Sequence, residues 1–236
     1  MNKAIVVRQD INISKAIVLL SGGLDSTTCL AIASSKFDEV HTISFDYGQK
    51  HRVELELAEY NSKKFGAKIH KIAKLDPTFF QNSSLTNKDI KVKKDYLTEN
   101  SIPDSYVPAR NTVFLSYALA YAESIQCSSI FIGVNSVDYS GYPDCRPEFI
   151  ASYEKMANLA IKDAVEGKLR IKIETPLIDI AKSEIIKIGK SLGVDYSKTL
   201  SCYDPIEDKA CGHCDSCLLR KNGFEQAGIK DETQYK

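Results

Sequence analysis

Three features of the 236-residue chain predict an α/β fold: a doubly wound, five-stranded parallel sheet with a small cysteine-rich appendage at its C-terminal end. Short apolar runs alternate with stretches of helical periodicity, the pattern of βαβ units joined by right-handed crossovers. The segment Ser21-Gly22-Gly23-Leu24-Asp25-Ser26 follows the first apolar run directly. Four cysteines, Cys202, Cys211, Cys214 and Cys217, crowd into sixteen residues near the end.

Lys15 to Leu20 (KAIVLL) reads as a buried strand, ended by the Ser21-Gly22-Gly23 turn. A helix is expected from Asp25 to Lys36 and a second strand from Val40 to Asp46. His51 to Phe65 is helical and closes at Gly66, and Lys68 to Ile72 is the third strand. Arg110 to Gln126 is helical again, and Ile130 to Val134 is a buried strand. Pro147 to Glu166 reads as one helix, with Phe149, Ile150, Tyr153, Met156, Ala157, Ala160, Ile161 and Ala164 on one apolar stripe. Ile171 to Glu174 is a fifth strand, and a last core helix runs from Lys182 to Leu192, stopped by Gly193. Residues 1–200 thus form one unit and 201–236 the appendage. Leu75 to Pro108 is polar and weakly periodic, and reads as a lid or interface insertion. Its lysines Lys88, Lys91, Lys93 and Lys94 alternate with acids, as on a solvated face.

Lys+Arg 31 against Asp+Glu 31 gives zero formal charge. A grip on nucleic acid or anionic lipid shows as a basic excess, so neither partner is expected. The longest apolar run, Ala16 to Leu20, is far too short to span a bilayer, and Arg8 and Asp10 break any export signal. A cytoplasmic protein is expected. Seven cysteines fit a disulfide framework badly, and in a reducing compartment the cluster reads as metal-binding or redox-active.

Glycines between a strand and a helix let the backbone approach a ligand, and the helix start offers unpaired N–H groups suited to phosphate. The loop is no Walker A motif, lacking the Gly-Lys-Ser/Thr ending, and it has no third glycine for a dinucleotide fingerprint. Asp25 is either a helix cap or a Mg²⁺ ligand, because a carboxylate in a phosphate loop needs a bridging cation.

The hexapeptide resembles the signature of the PP-loop, or N-type, ATP pyrophosphatases, enzymes that adenylate a substrate oxygen. Phe45-Asp46-Tyr47-Gly48-Gln49-Lys50-His51, Val107-Pro108-Ala109-Arg110-Asn111, Asp138-Tyr139-Ser140-Gly141-Tyr142-Pro143-Asp144-Cys145-Arg146, Glu174-Thr175-Pro176-Leu177 and Ser201-Cys202-Tyr203 narrow the likeness. Together they resemble the 7-cyano-7-deazaguanine synthase family of queuosine biosynthesis, from Lys15 to Arg220. Two departures stand out: Ala109 where the family leads one to expect glycine, and Lys50 in place of arginine.

The resemblance implies an ATP-dependent ligase that converts 7-carboxy-7-deazaguanine and ammonia to the nitrile. It also implies a homodimer. Leu20, Ser21, Gly22, Gly23, Leu24, Asp25, Ser26, Thr27 and Thr28 would carry the phosphates of ATP, held with Mg²⁺. Arg110 and Lys182 are candidates to neutralise them, against a reading of each as an ordinary ion-pair partner. His51 is a candidate proton shuttle, competing with a solvated or capping role. Substrate recognition falls to Asp138, Tyr139, Gly141, Tyr142, Asp144 and Arg146: carboxylates read the N–H donors of a deazaguanine edge, and aromatic rings cover its face. The same residue types also suit a plain turn. The runner-up is a tRNA-thiolating PP-loop enzyme, which the neutral charge disfavours.

The spacing Cys202-x8-Cys211-x2-Cys214-x2-Cys217 supplies four thiolates for one closed, structural Zn²⁺ site. Cys211-Gly212-His213-Cys214 duplicates a redox tetrad, but no apolar strand precedes it as thioredoxin-like chemistry requires. His213 is expected to point away from the ion, and Cys29, Cys127 and Cys145 read as structural.

Overall fold

The computed structural model describes residues 13–50, 53–95, 102–137 and 141–236. His51, Asp138 and Tyr139, which the sequence singles out, lie outside the described residues.

The first strand, β1 (Lys15–Leu19), is buried on both faces and sits at the centre of a parallel sheet. It pairs with β2 (Glu39–Asp46) on one side and with β4 (Ser129–Phe131) on the other. The edges are β3 (Ile69–Lys74) and β5 (Lys172–Glu174), so the strand order is β3-β2-β1-β4-β5. Strand building therefore reverses between β1 and β4, and the loops leaving their C-terminal ends diverge there. That is the switch point at which sheets of this kind bind ligands.

Alternate residues of β1 feed two cores. Ile17 and Leu19 face α3 (Arg110–Ile125) and α4 (Pro147–Ala160), meeting Leu115, Ala118, Ile150 and Tyr153. Ala16, Val18 and Leu20 face the other layer, α1 (Leu24–Ser34), α2 (Val53–Lys64) and α6 (Lys182–Ser191), meeting Leu30, Ala58, Ile185 and Ile186. Each fully buried aliphatic side chain contributes about 1.5–3 kcal/mol. A strand apolar on both faces can lie only between two helical layers.

The expected helix from Pro147 to Glu166 is not continuous. It breaks at Ile161, which adopts extended backbone (φ −98°, ψ 146°), and resumes as the short α5 (Lys162–Val165). Extension at Ile161 keeps its side chain in the core, while the freed Asp163 N–H donates to Glu123 Oε1 at 3.1 Å. The stripe is accordingly shorter than expected: Ile150, Tyr153, Ala157 and Ile161 are buried, while Met156 is 42% exposed. The fourth strand is also shorter than expected, ending at Phe131.

A further helix, α7 (Asp215–Ala227), was not anticipated; it folds back over α6. Phe224 meets Tyr196 edge-on at 5.5 Å, and Gly223 leaves room for the Lys182 stem, whose Cγ lies 2.4 Å from where a Cβ would stand. Arg220 is buried. Its Nε and Nη2 donate to the Asp231 carboxylate at 3.1–3.3 Å, Nη1 to Thr199 and Nη2 to the Tyr196 carbonyl. Burial raises the Asp231 carboxyl, but Arg220 and Tyr235 outweigh it, so the net shift is downward. The insertion packs inward through Phe80, Leu85 and Val107, and its lysines Lys88, Lys91, Lys93 and Lys94 face solvent.

Two outcomes follow from these contacts. Arg220→Ala removes the guanidinium from the largely buried Asp231 carboxylate and empties its own buried site, and urea titration should show a loss of about 3–5 kcal/mol. Because the Asp231 carboxyl is depressed in the fold, its pairing is fully present above the ordinary carboxylate range. The difference between wild type and variant should therefore shrink as pH falls below about 4. Ala109, the residue before α3, has left-handed backbone (φ 52°). That conformation costs a residue with a Cβ about 1–2 kcal/mol, against about 0.5–1 kcal/mol of glycine entropy. Ala109→Gly should leave stability unchanged or raise it by up to about 1 kcal/mol, and a clear loss in the same titration would refute the strain.

Candidate active site at the sheet switch point

Beyond the ends of β1 and β4 lies a cavity of about 220 Å³, walled by the loop after β1, the start of α2, the start of α3 and Ser201. Its floor is the phosphate-type loop. Gly22 takes φ +84°, and a Cβ there would stand 2.3 Å from the Glu54 carbonyl oxygen of α2. Only glycine fits that approach. Gly133, after β4, packs on the opposite side: its Cβ position is 3.0 Å from Ser26 N. The chain near residue 200 closes the third side, with Leu200 N–H donating to Gly22 O at 3.1 Å and Leu24 N–H to Ser201 Oγ at 3.2 Å. Within the loop, Ser21 N–H and Gly23 N–H donate to the Ser26 and Ser21 hydroxyls. Thr28 turns away from the cavity, donating to Leu24 O and meeting Tyr196. Thr27 is fully buried and its hydroxyl has no partner among the described residues.

The loop's two charged candidates meet each other. Lys182 Nζ, at the start of α6, lies 2.9 Å from both carboxylate oxygens of Asp25, with the lysine side chain 8% exposed. Asp25 does not cap α1 with its side chain. Arg110 lines the cavity from the start of α3, and the one hydrogen bond of its guanidinium among the described residues is a long one, 3.5 Å to Tyr47 OH. It forms no salt bridge there. A guanidinium with donors to spare beside the glycine loop suits an anionic ligand.

One wall is aromatic. Phe45 and Phe114 stack at 3.9 Å, and Tyr47 meets Phe114 edge-on at 5.4 Å. Of the predicted substrate loop, Tyr142 lines the cavity, its hydroxyl 2.7 Å from Ser105 and 3.3 Å from Tyr203; burial raises its phenol. Asp144 is buried but faces the helix start, accepting from Asn111 N–H at 3.0 Å, and Arg146 is exposed ahead of α4. Gly141 does not line the cavity. Cys145 does, and burial pushes its thiol up to about 12, so it is an inert wall residue.

The sequence reading missed Glu54. It belongs to the first turn of α2, half-buried against the cavity, and burial pushes its carboxyl up to about 8 despite the opposing pull of Arg110. An acid in a helix's first turn resembles the ordinary complement of the helix dipole, and only the tertiary contact separates the two.

The four cysteines form a second centre. All are buried, none is in a disulfide, and their sulfurs lie within 4.8 Å of one another. Tetrahedral thiolates around one ion at about 2.3 Å would stand about 3.8 Å apart, so the set fits a metal. Five backbone N–H groups point at these sulfurs, those of Tyr203, Asp204, Cys211, His213 and Cys214, at 3.2–3.4 Å. Such donors favour thiolate. His213 turns outward, 2.8 Å from Asp95 of the insertion.

Residues 15–228 match the family model described as Queuosine biosynthesis protein QueC. A relative from Hydrogenovibrio crunogenus named 7-cyano-7-deazaguanine synthase is 59% identical over 227 residues, 96% of this chain and 97% of the relative. One of the same name from Citrifermentans bemidjiense is 59% identical over 222 residues, 94% of this chain and 97% of the relative. The solved structure of NMN synthetase from Francisella tularensis shares the fold, with TM-score 0.52 and 14% identity over 93% of this chain and 79% of that one. These matches favour the cyano-deazaguanine reading over the tRNA-thiolating one. With the phosphate-type loop, the cavity and the cysteine cluster accounted for together, this chain belongs to the queuosine biosynthesis protein QueC family.

Proposed function

We propose that this chain is an ATP-dependent ligase that converts 7-carboxy-7-deazaguanine and ammonia to 7-cyano-7-deazaguanine. One observation carries the reading: the glycine loop, the Asp25–Lys182 pair and Arg110 converge on one aromatic-walled cavity. A carboxylate does not react with ammonia, because oxide is an impossible leaving group. Transfer of AMP from ATP to the carboxylate, with release of pyrophosphate, makes AMP the leaving group. Ammonia then gives the amide, and a second activation, at the amide oxygen, leads to the nitrile. Both activations put charge on phosphate oxygens, which preorganised donors stabilise.

The loop from Leu20 to Thr28 surrounds the phosphates in this reading, and Arg110 neutralises the transferred one. Asp25 supplies a hard oxygen ligand for Mg²⁺, whose charge offsets that of the phosphates; Lys182 shares the carboxylate. Tyr142 and the Phe45–Phe114 wall cover the flat face of the base, while Asp144 acts on recognition through the start of α3. Asp138, Tyr139 and Arg146 complete the substrate loop, and His51 assists proton movement. Residues 1–200 carry catalysis and residues 201–236 the metal. A cytoplasmic homodimer that uses no nucleic acid completes the reading; no helix among the described residues is long and apolar enough to cross a membrane. Incubation with ATP, ammonium and the carboxylic acid should yield the nitrile by mass spectrometry. Tight ATP binding without acid-dependent pyrophosphate release would overturn the assignment.

Zinc is the proposed occupant of the cysteine centre, and its role is structural because four protein ligands leave no open position. Elemental analysis should find one Zn²⁺ per chain. Serine at Cys202, Cys211, Cys214 or Cys217 should lower metal content and thermal stability together. Cys29→Ser, Cys127→Ser and His213→Ala should leave metal content unchanged. Iron in place of zinc would refute the assignment.

A further inference from the structure

We propose that Glu54 accepts the proton released when ammonia attacks the activated carboxylate, a role that rests on the ligase reading above. Its position is set by backbone. The Glu54 carbonyl packs on Gly22, so the first turn of α2 is held against the phosphate-type loop and cannot be displaced from it cheaply. Its side chain lines the cavity together with Tyr47, Arg110 and Asn111. The other acids near the cavity are engaged: both oxygens of Asp25 by Lys182, and an Asp144 oxygen by the Asn111 N–H. The Glu54 carboxyl has no hydrogen bond and no salt bridge among the described residues. A half-buried carboxyl with no hydrogen bond or salt bridge among the described residues, beside the glycine loop, is disfavoured by its burial, and such a departure from good packing marks function.

The chemistry needs such a group. As the nitrogen–carbon bond forms and the carbon–oxygen bond breaks, the electron pair leaves on the AMP oxygen, and the nitrogen must lose one proton. Acyl adenylate, ammonia and the Glu54 carboxylate give amide, AMP and the Glu54 carboxylic acid, which balances. Among the described residues, the charged and titratable groups around the same cavity are Tyr47 after β2, Arg110 on α3, Asp25 of α1 with Lys182 of α6, and Tyr142, Cys145 and Tyr203 across it. Burial outweighs the pull of Arg110 and places its ionisation near 8, close to neutrality, where an acceptor both holds and releases a proton readily.

The test uses the full chain and two readouts: acid-dependent ATP–pyrophosphate exchange, which reports adenylation alone, and amide plus nitrile formation at constant free ammonia. In Glu54→Gln the ratio of product formation to exchange should fall about 10²–10⁴-fold. The wild-type rise in product formation through about pH 8 should vanish in that variant and persist, at a lower plateau, in Glu54→Asp. Folding of the variant is checked by thermal melts. An ionised Glu54 is disfavoured in the fold, so Glu54→Gln should be at least as stable as wild type above about pH 8. An unchanged ratio, or a pH limb that survives in Glu54→Gln, would overturn the role. Absence of acid-dependent exchange in the wild type would overturn the ligase reading and this role with it.

Discussion

The space that Gly22 leaves empty governs the arrangement around it. The Glu54 carbonyl oxygen stands 2.3 Å from where a Cβ would be, and Gly133 packs against the other side of the loop. Interiors packed at this density transmit displacement rather than absorb it. A methyl group at Gly22 would shift the first turn of α2 and the aromatic wall beside it. The start of α1 would move too, with the hydrogen bonds to Leu200 and Ser201. The loop is therefore the element on which β1, β4, α2, α6 and the C-terminal region are mutually registered.

Much of this was legible in the sequence where local chemistry decides structure. The apolar run of β1 and the glycines that end it located the central strand, because a strand covered on both faces leaves little polar signal within it. What escaped was decided by distant contacts. The sequence of α7 mixes a cysteine, a glycine and charges without a clear apolar face, and distant contacts give it a place: Gly223 beside Lys182, Phe224 beside Tyr196 and Arg220 beside Asp231. The break at Ile161 serves core burial against helical propensity, which a periodicity count cannot foresee. In the site, the loop backbone was readable from its glycines. The partnership of Asp25 with Lys182 spans 157 positions and carries no local signature.

The cysteine centre and the cavity share backbone. Ser201 bonds the loop, Cys202 belongs to the sulfur cluster, and the Tyr203 N–H donates to Cys214 Sγ while its hydroxyl meets Tyr142. Three consecutive residues thus couple the sulfur cluster to the shape of the cavity wall. The insertion is tied to the same region by Asp95 to His213 and by the exposed pair of Lys94 and Asp204 at 3.0 Å. Exposed pairs of this kind are worth about 0–1 kcal/mol and weaken with salt.

The long reach between Asp25 and Lys182 also bears on how the chain comes to be active during synthesis. The phosphate-type loop is made early, yet the lysine that pairs with its acid, and the Leu200 and Ser201 groups that complete its hydrogen bonds, are made late. Closing contacts of such separation is slow compared with forming the local βαβ units. A nascent chain that has not yet reached Lys182 and Ser201 therefore carries the glycine loop without the charge balance and closure that it has in the fold.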